Sequence, residues 1–317
     1  VIHAFALEPE LVATWGRREE FRFIHDKFGL GTPRVMLELP TFTAWKNAVY
    51  SAASELDLTA KDWKRLEEVF RIFAEHRCRR AESVYMDALT WLQNAEQEHS
   101  RREFRAILAA HNPRSHSAVI VGDDVGQPKA RLFSCELGAT PDRSPNGLAN
   151  ALAAMLCNCR ELHLVDPHFG PENPRHRKVL EALVDVLATN GVSPELVRVH
   201  CMKKAELPFF EGEAAKMASR LPPGITVEFR RWKQRAGSDR IHNRYVLTDL
   251  GGVFLGIGLD AGEAGETDDL LLLPQEQYVR RWAQYAEEDG SFDLGDSPAA
   301  VTGKRRVRTG RASNVVR

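Results

Sequence analysis

From residue 118 to residue 287, short apolar runs take turns with stretches whose apolar residues recur every three to four positions. Residues 161–169 read as a strand entering a Pro-marked loop, 177–189 as a helix, 196–201 as a strand, 211–220 as a helix and 225–230 as a strand. Strands and helices of these lengths bury their apolar faces together as βαβ units, with parallel strands beneath the helices. Ahead of them, 118–122 and 132–135 are strand candidates, and Leu148, Leu152 and Leu156 mark a helix over 146–158. Behind them come strands at 241–248, 253–256 and 270–273, with Gly251-Gly252 as a hairpin-type turn, and a closing helix over 275–287. The expectation is an α/β domain over 113–290, a mixed sheet flanked by helices.

The first 112 residues follow another pattern. Trp15, Phe21, Phe23, Phe28, Phe42 and Trp45 sit among charges, Gly31, Pro33 and Pro40, without a sustained period, which predicts short helices and loops. From Thr59, a suitable N-cap, the residues Trp63, Leu66, Val69, Phe70 and Phe73 mark one helix face. Tyr85, Leu89, Leu92, Phe104 and Leu108 extend the helical reading over 83–110, so residues 1–112 are expected to be a mostly helical region, available to a protein partner. Residues 291–317 end in Lys304, Arg305, Arg306, Arg308, Arg311 and Arg317 and are predicted to be a basic, flexible tail.

Composition removes several classes. With 43% hydrophobic and 27% charged residues the chain is neither disordered, collagen-like nor a disulfide scaffold. Its apolar runs, such as 151–157, are too short to cross a bilayer, and no basic start precedes a long apolar stretch. Five scattered cysteines without a Cys-x-x-Cys pair suit a reduced, cytoplasmic chain. Cys157, Cys159 and His163 have the types of metal ligands, but at the end of an apolar helix they read as buried thiols, and neither metal nor cofactor is expected. The net charge is −1, from 43 basic and 44 acidic residues, so attraction to an anionic partner has to come from local segregation of charge.

The segment that carries chemistry is 241–260. On a strand, His242 and Arg244 stand two apart and share a face, an imidazole beside a permanent cation. Such a pair suits a phosphate: the guanidinium offers a two-pronged donor, and a neutral imidazole can donate a hydrogen bond or attack phosphorus. Asp249 falls at the strand end, either orienting His242, balancing Arg244 or simply starting a turn. Asp260 could cap a turn or pair with Arg244, and Asp166, before Pro167, is a turn initiator.

The spacing His242-x-Arg244-x-x-x-x-Asp249 resembles the His-x-Lys-x-x-x-x-Asp signature of the phospholipase D superfamily, with Arg244 in place of lysine and Gly256 at the family's glycine position. Ile257 stands where that family usually has serine, and the following asparagine is missing. Gly256-Ile257-Gly258-Leu259-Asp260 is similar instead to the phospholipase-D-like C-terminal domain of MIT-domain proteins, a branch regarded as non-catalytic and membrane-associating. The likeness covers residues 113–290, including the strand-to-loop entry 164–169. It implies an α/β sandwich and metal-independent chemistry, in which one histidine forms a phosphohistidine and a second protonates the leaving group. A second copy of the motif is lacking, since His176-Arg177-Lys178 is followed by Leu183 at the acid's position. The second imidazole would come from His168 or from a second chain in a homodimer.

A second cluster adds to the anionic theme. Arg230, Arg231, Lys233, Arg235 and Arg240 crowd one window around Trp232, which suits gripping a phosphate backbone and stacking on a base, or guarding a strand edge. Two functions follow as expectations. One is a phosphodiester-recognising subunit, with nucleic acid favoured over membrane lipid, in a larger and prokaryotic, defence-type assembly that has lost turnover. The other is a metal-independent nuclease or phosphodiesterase with His242 as nucleophile, Arg244 neutralising charge and Asp249 orienting.

Overall fold

A computed structural model describes residues 1–304 except 81, 82, 126, 128, 129, 192, 193 and 195. The basic residues expected to act as a tail, from Arg305 onward, lie outside the described residues.

The N-terminal part holds the expected helices together with a sheet that the sequence reading did not anticipate. Its elements are β1 (His3–Leu7), α1 (Pro9–Ala13), α2 (Arg18–His25), β2 (Arg34–Leu37), α3 (Phe42–Ser54), α4 (Ala60–Glu75), β3 (Arg77–Cys78), α5 (Trp91–Arg101), β4 (Ala106–Ala109) and β5 (Val119–Val121). The strands form a parallel five-stranded sheet in the order β3-β2-β1-β4-β5. These strands escape a periodicity reading because they are covered on both faces: Phe5, Ala6 and Leu7 are wholly buried in succession, so nothing alternates. The helix expected over 83–110 shrinks to α5, and Leu108 belongs to β4. Helix α4 begins where the sequence places it, with Thr59 and Asp62 closing a reciprocal capping box.

The boundary expected at 112/113 therefore cuts through a sheet, since β5 pairs with β4. Residues 132–135 form a turn rather than a strand, and Phe133 meets Phe5 edge-on at 6.0 Å in the N-terminal core.

The remaining elements are β6 (Gly138–Ala139), α6 (Pro145–Leu156), β7 (Glu161–Val165), α7 (Pro174–Thr189), β8 (Leu196–Met202), α8 (Leu207–Ala215), β9 (Thr226–Lys233), β10 (Arg244–Thr248), β11 (Gly251–Leu255), β12 (Leu270–Leu272), α9 (Gln275–Tyr285), β13 (Asp293–Leu294) and β14 (Ala299–Thr302). They build a mixed nine-stranded sheet in the order β13-β9-β8-β7-β10-β11-β12-β6, with β14 also on β9. Strands β7, β8 and β9 are parallel, joined through α7 and α8, whereas β10 runs antiparallel to β7. Residues expected in the tail thus complete the sheet: β13 and β14 pair with β9.

Helices α6, α7 and α8 cover one face of this sheet through Leu152, Leu183 and Phe210, and α9 covers the other through Tyr278 and Tyr285. Helix α6 also faces the first sheet, so Ile2, Val35 and Leu37 share a core with Leu148 and Met155. The hairpin turn is Asp249-Leu250, two residues earlier than expected. Gly251 follows at φ +141°, where a Cβ would stand 2.8 Å from Ile2 Cδ1. Nearby, His76 Nε2 lies 2.7 Å from the Leu250 carbonyl oxygen, a second tie between the two parts.

Candidate functional site

The parallel strands β7 and β8 end on the same side, and the antiparallel β10 begins there. In open α/β sheets the crevice beyond the carboxyl ends of the strands is where ligands are received. A cleft of about 750 Å³ occupies this place, lined by Pro167, His168, Met202, the 234–238 loop, Arg240, Ile241 and His242.

His242 lies just ahead of β10 rather than within it, exposed on the cleft. Its Nδ1 is 3.2 Å from Asn243 Oδ1, and Asn243 Nδ2 donates to the Tyr245 hydroxyl at 2.9 Å. With the amide turned this way, Nδ1 donates to the Asn243 Oδ1.

Arg244 opens β10 in the register that sets Tyr245 against Val165, and so reaches the carboxyl end of β7. It is half-buried, its Nε is buried without a hydrogen-bond partner, and no acid pairs with its guanidinium among the described residues. Behind it lies Gly258, at φ +158°, where a Cβ would come 2.9 Å from Asp166 Oδ2 and 3.8 Å from Arg244 Nε.

His168 lines the same cleft, so the structure brings the two expected imidazoles to one opening within one chain. Lys204, at the end of β8, places Nζ 2.7 Å from His168 Nδ1. Partial burial, then the Lys204 ammonium and the Arg244 guanidinium, hold the His168 imidazole below its usual pKa. Its Nδ1 accepts from Lys204, which leaves the ring neutral with its proton on Nε2, pointing a donor outward.

The carboxylates around the cleft have other duties. Asp166 accepts from the backbone N–H groups of His168 at 2.8 Å and Leu259 at 2.9 Å, tying two loops together. Asp260 pairs with Arg143 at 2.5 Å and Arg175 at 3.2 Å rather than with Arg244.

Asp249 is not part of this cleft. It lies at the opposite end of β10, five residues or about 16 Å of strand from Arg244. Its carboxylate accepts from the backbone N–H of Arg160 at 2.7 Å and of Glu161 at 3.2 Å, capping the start of β7.

The cluster around Trp232 is also dispersed. Trp232 is buried, stacks on His200 at 5.9 Å and donates its indole N–H to His200 Nδ1 at 3.1 Å, so it cannot receive a base. Arg231 is buried over the Phe210 ring and pairs with Asp296 at 2.8 Å. Arg230 pairs with Glu228 at 2.9 Å and Glu288 at 3.2 Å. The strand register explains this: β9 lies inside the sheet, between β8 and β13/β14, so its cations must find acids within the fold. Arg235 is exposed but bound to Asp293 at 2.5 Å, and Lys233 is exposed opposite Asp293 in β13. Arg240, exposed on the cleft, has no ion pair among the described residues.

Lys204, Arg143 and Arg175 were missed by sequence reasoning. The signal for Lys204 was its place directly after a parallel strand, where α/β folds concentrate ligand contacts. Among the described residues no helix is long and apolar enough to cross a membrane.

No family model matches the chain, and no curated protein matches it. Among solved structures, the archaeal chromatin protein TrmBL2, described as showing a novel mode of DNA binding, is similar over 54% of this chain and 60% of its own length, at 15% identity and a TM-score of 0.27. The chain thus spans less than two thirds of TrmBL2, and so loose a superposition carries no argument about function.

Proposed function

We propose that the chain is a phospholipase-D-like protein that recognises a phosphodiester, with nucleic acid as its partner, as a non-hydrolysing subunit of a larger, defence-type assembly. The observation that carries this reading is the unpaired Arg244 guanidinium at the carboxyl ends of the parallel strands, two residues from His242 on a cleft whose lining holds no carboxylate. A half-buried guanidinium without an internal acceptor costs free energy, and a phosphate offers two acceptor oxygens at matching spacing. Residues 1–112 contribute nothing to the lining and are left for a protein partner.

Loss of turnover fits the same geometry. An imidazole that attacks phosphorus needs a second group holding a transferable proton, and Lys204 disfavours the charged form of His168. Asp249 is too distant to orient His242. One observation favours the alternative, a metal-independent phosphodiesterase: His242 is exposed on a cleft that already contains a second imidazole, without recourse to a homodimer.

The test is an assay of the purified chain on a generic phosphodiester and on single- and double-stranded DNA in EDTA, with binding followed in parallel. Salt-dependent binding without turnover, abolished by Arg244→Ala, is the expected result. EDTA-resistant hydrolysis removed by His242→Ala would establish the enzyme instead, and absence of both binding and turnover would overturn both readings.

A further inference from the structure

We infer, resting on the reading of this cleft as a phosphate receptor, that it prefers a nucleic-acid end bearing a terminal phosphomonoester over an internal phosphodiester. The basis is the charge left uncompensated. Arg235 contributes little, because Asp293 neutralises it at 2.5 Å. Arg240, Arg244 and Lys204 are different: among the described residues none of the three has a carboxylate partner. Lys204 meets only the neutral ring of His168, at 2.7 Å.

The acids that might have balanced them are engaged elsewhere. Asp166 serves two backbone N–H groups. Asp260 is held by Arg143 and Arg175. Asp239, in the loop over the cleft, is held by Arg280 at 2.7 Å and Arg281 at 3.1 Å from α9.

Three uncompensated cations exceed what one phosphodiester can balance with its single charge. A terminal phosphomonoester carries about 1.5 to 2 negative charges near neutrality and three acceptor oxygens. Three oxygens give one ligand enough acceptors for His168 and Arg240 on the cleft lining and for the cations beside them, Lys204 at His168 and Arg244 two residues from His242.

The experiment compares one short single-stranded DNA oligonucleotide in three forms, with a 5′-phosphate, with a 3′-phosphate and with hydroxyls at both ends, by fluorescence anisotropy in EDTA. One phosphorylated form is expected to bind at least about tenfold more tightly than the hydroxyl form, with inorganic phosphate competing. Arg240→Ala and Lys204→Met, both at exposed positions, should each weaken the phosphorylated form several-fold more than the hydroxyl form, and so remove most of that preference. Equal affinity for all three forms would overturn this inference and leave the proposed function standing, with successive internal phosphates serving the separate cations. Failure of every form to bind would overturn both.

Discussion

The two sheets of this protein end in opposite chemistry. At the centre of the N-terminal sheet, where β1 and β4 adjoin, the carboxyl end of β1 carries Glu8, whose carboxylate accepts the Ala110 N–H at 2.6 Å and so holds the strand ends together. The corresponding end of the C-terminal sheet carries Arg244, which nothing inside the fold satisfies. Arg34 makes the contrast sharper, since its guanidinium donates to the Phe133 carbonyl at 2.6 and 3.1 Å and lies 4.3 Å over that ring. One arginine is spent on architecture and the other is held in reserve. What a cation is for is therefore read from the partners left over after folding, rather than from its presence in a basic window.

Acid should have the largest effect on stability. Inside the C-terminal sheet, His200 Nε2 lies 3.0 Å from His163 Nδ1, and Trp232 donates to the other side of His200. Burial, and then the nearby positive charges, push His163 down to about 3 and His200 well below the usual imidazole value. Both rings are neutral in the folded state, whereas the unfolded chain takes up protons below about pH 6.5, so stability is present above that pH and lost as it falls. Each ring costs about 1.4 kcal/mol per pH unit, so the pair removes about 4 kcal/mol by pH 5. Near-neutral and pH 5 urea unfolding, followed by indole fluorescence in wild type and in Trp232→Phe, measures this. Unchanged stability at pH 5 would mean that the histidines are not buried neutral.

A smaller effect tests the contrast between the arginines directly. Arg34→Ala should lower unfolding stability by about 2 kcal/mol, through two lost charge-assisted hydrogen bonds and a bared carbonyl. Arg244→Ala should leave stability within about 0.5 kcal/mol, having no internal partner to abandon, while abolishing anion binding. Equal destabilisation by both changes, in denaturant titrations, would erase the distinction.

The smallest effect concerns Asp249. Its removal in Asp249→Ala bares the N–H groups of Arg160 and Glu161 and should cost about 1 kcal/mol, with ligand affinity unchanged because the cleft is at the other end of β10. A large loss of affinity with little loss of stability would return Asp249 to the site.

The α/β character expected over 113–290 and the cap at Thr59 were legible in the sequence. Helical periods and strands between Gly and Pro punctuation depend on neighbours in the chain, and these survive folding unchanged. The N-terminal strands were not legible, because a strand buried on both faces has no alternation to read. Nor did the window from Arg230 to Arg240 reveal which of its cations were free.

The sequence by itself determined the local elements and the kinds of side chain near the cleft. Tertiary structure alone decided that Asp249 lies a strand's length away, that Trp232 and Arg231 are interior, and that Lys204 meets His168. The reason is physical: periodicity is a property of adjacent residues, whereas the pairing of a charge depends on groups brought from other strands. Only when β13 and β14 complete the sheet do Asp293 and Asp296 reach Arg235 and Arg231, leaving Arg244 and Arg240 without such acids.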